Sequence, residues 1–311
     1  MRQKFITSLI MVSSLFILVS CKKENTTMIQ EIAFQELNVQ TLDVTLYARV
    51  AGRLQSGNVL IAINGGPGLT SNYMLDLEQL AGRDLAVVTY DQRGMGKSSR
   101  PPAPGSPASY TLLKYAEDVE AIRQALHVER IHLFGHSFGG IIAMQYAVLY
   151  PEHVASLIFF GGGPPTWQGI QACNQKMLAR VQFLIQAGVI LPMDQWKAGG
   201  IDPILPAYFY DPKFTFPEDA LGGPPQFDQS VSDLTYQNVV KLDLRPELAS
   251  LQKRVLLMIG RDDPFGMQMA EAVRDALVHS TVDYVVIDQC GHFWHECPDA
   301  FYPRLRMFLK K

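Results

Sequence analysis

Short, nearly continuous apolar runs recur along the chain. They are Val59 to Ile63, Leu85 to Tyr90, Arg130 to Phe134, Ser156 to Phe160, Val255 to Ile259 and Tyr284 to Ile287. Runs of this kind fit strands covered on both faces, as in a parallel sheet. Ahead of them, Ile29 to Glu36 and Leu42 to Val50 read as an antiparallel pair that opens the sheet. Between runs the period changes: Leu112, Tyr115, Val119, Ile122 and Leu126 are spaced for one face of a helix. Strand, helix and strand in repetition predict an α/β fold with a mostly parallel, doubly wound sheet.

The alternation stops after about Gly163. From Pro164 to Leu244 the text holds Gly199-Gly200, Gly222-Gly223-Pro224-Pro225, several aromatics and a helical stretch from Gln171 to Gln186. Alternation resumes at Val255. A long insertion with its own pattern predicts a mainly helical cap after the sixth strand rather than a structureless loop. The expected organisation is residues 29–163 and 245–311 as two parts of one core, with 164–244 as the cap.

One serine stands where strand period turns into helix period, in Ile131-His-Leu-Phe-Gly-His-Ser137-Phe-Gly-Gly-Ile-Ile. Gly135-His136-Ser137-Phe138-Gly139 matches G-x-S-x-G, the nucleophile elbow. A serine there stands on a sharp strand-to-helix turn, with its hydroxyl exposed at the sheet's C-terminal edge. Free N–H groups of the helix start lie behind it. A phosphate loop would want Gly-Lys-Ser/Thr, and no lysine is present. His136 is expected to pack beside the elbow.

Such a serine needs an acid and a histidine further along, in that order. Gly260-Arg261-Asp262-Asp263-Pro264 follows one strand, and Cys290-Gly291-His292-Phe293 follows the next. Asp263 and His292 therefore fall past C-terminal strand ends, where such sheets carry their sites. Asp262 and His295 are the local competitors. The oxyanion hole is expected from the N–H of Phe138 and from the glycine-rich loop Asn64-Gly65-Gly66-Pro67-Gly68 after the third strand. Cys290, His292, His295 and Cys297 also put four soft ligands into one short loop. One such loop rarely closes a tetrahedron, so no metal is expected. Nothing implies a cofactor.

Taken together these segments resemble the α/β-hydrolases of the proline iminopeptidase type, peptidase family S33. Asn64 to Gly68 resembles the family's His-Gly-Gly-Pro-Gly. Asp91-Gln92-Arg93-Gly94-Met95-Gly96-Lys97-Ser98 resembles its Asp-Gln-Arg-Gly-x-Gly-x-Ser. Gly135 to Gly140, Tyr150 to Val154, Gly260 to Asp263 and Gly291-His292 keep the family order. The resemblance implies Ser137 as nucleophile, Asp263 as orienting carboxylate and His292 as base. It favours Gly66 as second oxyanion donor, with Gly65 beside it. Two segments depart from the family: Asn64 replaces its histidine, and the elbow reads Gly-His-Ser-Phe-Gly rather than Gly-Gly-Ser-Trp-Gly.

The implied activity is that of a serine hydrolase, an exo-acting aminopeptidase on a small-molecule or short-peptide substrate. A carboxylesterase is the alternative, and a non-catalytic binding lipoprotein a further one. An aminopeptidase needs a carboxylate for the substrate ammonium. The cap offers Asp194, Asp202, Asp211, Glu218, Asp219, Asp228 and Asp233. Its aromatics Trp167, Trp196, Tyr208, Phe209, Tyr210, Phe214 and Phe216 are candidates for an apolar pocket or for cap core.

Composition changes the picture only at the edges. Of 311 residues, 48% are hydrophobic and 18% charged, so a sizeable core is expected. The formal net charge of −3, without a basic block after the start, excludes nucleic acid as an expected partner. Arg2 and Lys4 precede the apolar stretch Phe5 to Val19, which has signal-peptide length. Leu18-Val19-Ser20-Cys21 resembles a bacterial lipobox. It implies a signal over residues 1–20, a lipid on Cys21 and a polar tether over 21–28. The expected location is the bacterial cell envelope, lipid-anchored on the outer side of the inner membrane or on the outer membrane. Lipidation would leave Cys173, Cys290 and Cys297, too few and too odd for a disulfide framework. A Cys290–Cys297 pair stays open at this level.

Overall fold

The computed structural model describes residues 34–196, 201–216 and 225–310. The segment read as signal, lipidated Cys21 and tether lies outside these residues. Eight strands form one sheet: β1 (Phe34–Gln40), β2 (Thr45–Ala51), β3 (Val59–Ile63), β4 (Ala86–Tyr90), β5 (Ile131–His136), β6 (Val154–Phe160), β7 (Arg254–Gly260) and β8 (Thr281–Ile287). Their order is β1-β2-β4-β3-β5-β6-β7-β8. β1 and β2 run antiparallel and the pairs from β4 to β8 are parallel. Helices are α1 (Leu112–Ala125), α2 (Phe138–Leu149), α3 (Trp167–Gln186), α4 (Gln229–Tyr236), α5 (Arg245–Leu248), α6 (Gln268–Ala276) and α7 (Pro298–Leu309).

The continuous apolar runs have the predicted cause. Every residue of β3 and β4 is buried, because both faces of the sheet are covered. Val59, Ile61 and Ile63 pack into one layer with residues of α1, α2 and α6. Leu60 and Ala62 pack into the other, with Tyr73, Leu77, Trp294, Phe301 and Leu305. Alternation within a strand thus feeds two cores rather than a core and solvent. The first strand ends later than its pattern suggested: pairing runs on to Gln40 opposite Thr45. Thr41 closes the turn, its N–H and hydroxyl both donating to the Val44 carbonyl at 2.8 and 2.9 Å.

The motif around Arg93 is structural. Its guanidinium donates to both carboxylate oxygens of Asp118, at 2.8 and 2.7 Å, with each side chain about 2% exposed or less. Arg93 also contacts Asp43 at 3.3 Å. This ties the loop after β4 to the middle of α1 and to the β1–β2 turn.

Between β6 and β7 the chain leaves the sheet and returns. Its two ends are stitched together by Trp167 N–H to the Leu242 carbonyl and Leu244 N–H to the Pro165 carbonyl, both 2.9 Å. Farther out, Asp228 N–H donates to the Gly68 carbonyl at 2.8 Å and Thr70 N–H to the Gln226 carbonyl at 3.0 Å. The inserted segment therefore docks on the loop that follows β3.

Candidate active site

β3 is flanked by β4 on one side and β5 on the other, so the strand order reverses there. Crevices at such switch points are where open α/β sheets bind ligands. The loop Asn64–Gly68 leaves the C-terminal end of β3, and Ser137 leaves that of β5.

The tight glycine spacing around Ser137 has a steric reason. A Cβ at Gly139 would run into the Ile63 carbonyl oxygen, and one at Gly135 would sit 2.7 Å from the Gly140 Cα. Only hydrogen lets α2 start this close to β3 and β5. Ser137 itself has φ 52° and ψ −124°, a strained conformation for a residue with a Cβ. Its carbonyl accepts from Gly140 N–H at 2.9 Å and Gly163 N–H at 2.8 Å. Phe138 is the first residue of α2, so its N–H has no partner within the helix.

Asp263 and His292 meet across the ends of β7 and β8. His292 Nδ1 lies 2.7 Å from Asp263 Oδ2, and both side chains are 1% exposed or less. The carboxylate only accepts, so in the neutral imidazole Nδ1 carries the proton and Nε2 the lone pair. Nε2 is buried and has no hydrogen-bond partner among the described residues. The other Asp263 oxygen accepts from Phe265 N–H at 2.9 Å. The competitors fall elsewhere. Asp262 is exposed. His295 Nε2 sits 3.0 Å from the Tyr73 carbonyl and 3.3 Å from Asp76.

The loop carrying His292 is braced from three directions. Cys290 and Cys297 form a disulfide across it. Closing a loop of this length contributes about 2.5 kcal/mol by chain entropy. The bond also occupies both sulfurs of the Cys-His-His-Cys run. Glu296 accepts from Gly291 N–H at 2.9 Å and from Tyr210 and Asp211 N–H at 2.9 and 3.0 Å. His292 N–H donates to the Tyr208 carbonyl at 2.7 Å. Cys173 stays free and buried, and burial pushes its thiol up to about 12.

The loop after β3 divides the two glycines expected as oxyanion donors. Gly65 N–H donates to the Tyr73 hydroxyl at 2.6 Å in a buried position. It is therefore not available to an oxyanion, which corrects the expectation for Gly65. Gly66 lines the cavity beside Ser137. The Asn64 side-chain amide donates to the Gly65 carbonyl at 3.0 Å and to the Leu69 carbonyl at 2.8 Å. Because a trans peptide sets C=O and N–H on opposite sides, Asn64 turns the Gly66 N–H away from itself. Gln92 holds the Asn64 carbonyl at 2.8 Å.

Ser137 and His292 face one cavity of about 630 Å³, walled by Gly66, Leu69, Met177, Val181, Trp196, Ile204, Tyr208, Phe227, Tyr236, Phe265 and Phe293 among others. That volume suits a small ligand. Of the cap aromatics singled out in the sequence, Trp196 and Tyr208 line it. Phe209, Phe214 and Phe216 meet one another in tilted or edge-on contacts, Phe209 and Phe216 also meet Phe293, and all three pack into the core layer on the Leu60 and Ala62 face of the sheet, while Trp167 packs against the opposite layer and Tyr210 is exposed. Among the described residues no Asp or Glu lines the cavity. Asp228 caps α4 and pairs with Arg100. Asp233 accepts from Gln229, and Asp211 from Lys213 N–H. Glu218 and Asp219 lie outside the described residues.

Sequence reasoning missed Tyr73, Asn174 and Tyr236. The last two line the cavity near Ser137, and Tyr73 holds Gly65. None sits in a motif, and nothing local to their positions marks them.

The chain matches the family model described as the alpha/beta hydrolase fold over residues 58–189. It is 38% identical over 282 residues to the proline iminopeptidase of Lactobacillus acidophilus, covering 84% of this chain and 93% of that one. The chain belongs to the α/β-hydrolases of the proline iminopeptidase type. It is a hydrolase. Two solved structures show the same fold at lower identity. The proline iminopeptidase of Mycobacterium smegmatis superposes with a TM-score of 0.67 at 21% identity, over 89% of this chain and 98% of that one. An esterase from Exiguobacterium antarcticum gives 0.64 at 20%, over 89% and 100%.

Proposed function

We propose that this hydrolase works by two-step acyl transfer, with Ser137 as nucleophile, His292 as general base and Asp263 as the carboxylate that orients it. The observation that carries this reading is the His292–Asp263 pair, with its free Nε2 buried in the cavity that Ser137 lines. His292 takes the Ser137 proton as the oxygen attacks a carbonyl, then returns it to the leaving group. Phe138 N–H and Gly66 N–H are the proposed oxyanion donors. Water releases the acyl-enzyme by the reverse use of the same groups.

For substrate, we propose exo-acting cleavage of a small peptide or amide with an apolar N-terminal residue. The name carried by the Lactobacillus acidophilus relative supports this, as does an apolar cavity beneath the inserted segment. A second reading, a short acyl ester, is favoured by one observation. An ammonium desolvated in this cavity would need a paired charge, and the described lining supplies none. Proline p-nitroanilide, its N-acetyl form and p-nitrophenyl acetate separate the two. The aminopeptidase is expected to cleave the free amine at least about 100-fold faster than the blocked amide, as buried ionic recognition requires. Equal cleavage of both amides, or cleavage of the ester alone, rejects it.

The lipid anchor at Cys21 is likewise proposed, on the lipobox-like Leu18 to Cys21. Intact-mass analysis of membrane-extracted protein is expected to show a mature N-terminus at Cys21 bearing acyl chains. A different N-terminus without lipid rules the anchor out.

A further inference from the structure

Behind the cavity, three buried hydrogen bonds run in series from the loop after β3 to the loop after β8. Gly65 N–H donates to the Tyr73 hydroxyl at 2.6 Å, that hydroxyl meets His136 Nδ1 at 2.7 Å, and His136 Nε2 meets the His292 carbonyl at 2.8 Å. Tyr73 and His136 are each 1% exposed. Only one polarity satisfies all three. A carbonyl accepts only, so His136 Nε2 carries the proton; Nδ1 then accepts, and the Tyr73 O–H donates to it. Burial holds the His136 imidazole well below the ordinary histidine range, so the ring stays neutral as this pattern demands. Burial likewise raises Tyr73, so its hydroxyl keeps its proton. The His136 ring is packed by His292, Phe293 and Trp294 at centroid distances of 4.8, 5.0 and 5.3 Å. It has little room to turn.

We propose that Tyr73 and His136 are positioning residues that hold the proposed oxyanion loop and the His292 loop in fixed register. The proposal rests on the catalytic reading of Ser137, His292, Phe138 and Gly66 given above. The relay fixes the Asn64–Gly65 peptide through its N–H, and Asn64 fixes the next peptide through its C=O. Together they set where the Gly66 N–H stands relative to the base. Preorganised donors act on the developing charge of the transition state, so loosening them lowers kcat more than it raises KM.

Tyr73→Phe removes one oxygen and keeps the ring. With p-nitrophenyl acetate as probe, kcat per fluorophosphonate-titrated Ser137 is expected to fall about 10- to 100-fold. KM should stay within about two-fold. Affinity for a trifluoromethyl ketone, which forms the oxyanion adduct, should fall by the same factor as kcat/KM. A merely structural role would lower the titratable fraction or the unfolding temperature and leave kcat per titrated site alone. His136→Gln keeps a donor that reaches the His292 carbonyl, and should retain about ten-fold more turnover than His136→Leu. Parental kcat in Tyr73→Phe, or equal losses in His136→Gln and His136→Leu, overturns the relay. Ser137→Ala run alongside separates the two levels: parental turnover there overturns the catalytic reading and the relay with it. A dead Ser137→Ala beside a silent Tyr73→Phe overturns the relay alone.

Discussion

Ser137→Ala and His292→Ala are each expected to lose about 10⁴-fold or more in turnover while folding as the parent does. Neither side chain holds the core together. Ser137 stands at the cavity wall, and the loop of His292 is braced by the disulfide, Glu296 and the Tyr208 carbonyl rather than by the imidazole. Asp263→Asn is expected to approach the same loss, about 10⁴-fold in kcat. An amide at that position can present its own N–H to Nδ1, which favours the tautomer with the proton on Nε2 and removes the base. Asp262→Asn, at an exposed carboxylate one residue away, should stay within about two-fold of the parent. Initial rates normalised to titrated sites, with circular dichroism as the fold control, decide between them. A crippled Asp262→Asn beside an active Asp263→Asn would refute the assignment of the orienting carboxylate.

Arg93→Met should have the largest effect on stability and little on chemistry. It strands Asp118, which is buried and bonded to the guanidinium through both oxygens. Breaking one side of such a pair costs about 3–5 kcal/mol. Burial already raises the Asp118 carboxyl to about 6 even with Arg93 beside it. Without Arg93 its folded-state value moves higher still, while the unfolded value stays ordinary. A raised folded pKa means that the folded state holds the proton more tightly, so stability is lost as pH rises through that value. The deficit of Arg93→Met should therefore be smallest near pH 4 and largest above pH 6, read by urea denaturation. Adding Asp118→Leu should recover much of it, since an apolar pair has no charge to strand. A single variant as stable as the parent at pH 8 would show that the ion pair is dispensable.

Local chemistry carried far in this protein. Strand runs, the α1 stripe and the glycine spacing at the elbow depend on side-chain period and on the absence of Cβ atoms, and both are written residue by residue. Six of the eight described strands were therefore legible as apolar runs, and the order Ser, Asp, His was legible because each follows a strand. Those residues come together because parallel strands bring their C-terminal ends to one edge.

What the tertiary structure alone decided is pairing between distant segments. Whether the Gly65 N–H is left free depends on where the Tyr73 hydroxyl reaches, and Tyr73 sits outside any motif. That Cys290 and Cys297 are bonded, leaving no sulfur for a metal in that loop, depends on the fold of the loop and not on its spacing. The lining of the cavity could not be read either. The cap's aromatics and acids look alike in sequence, and only packing separates Trp196 and Tyr208 at the cavity from Phe209, Phe214 and Phe216, which join the core layer on the sheet. Hydrophobic pattern reports that a side chain is buried. It does not report against what, because that is set by contacts between residues far apart in the chain.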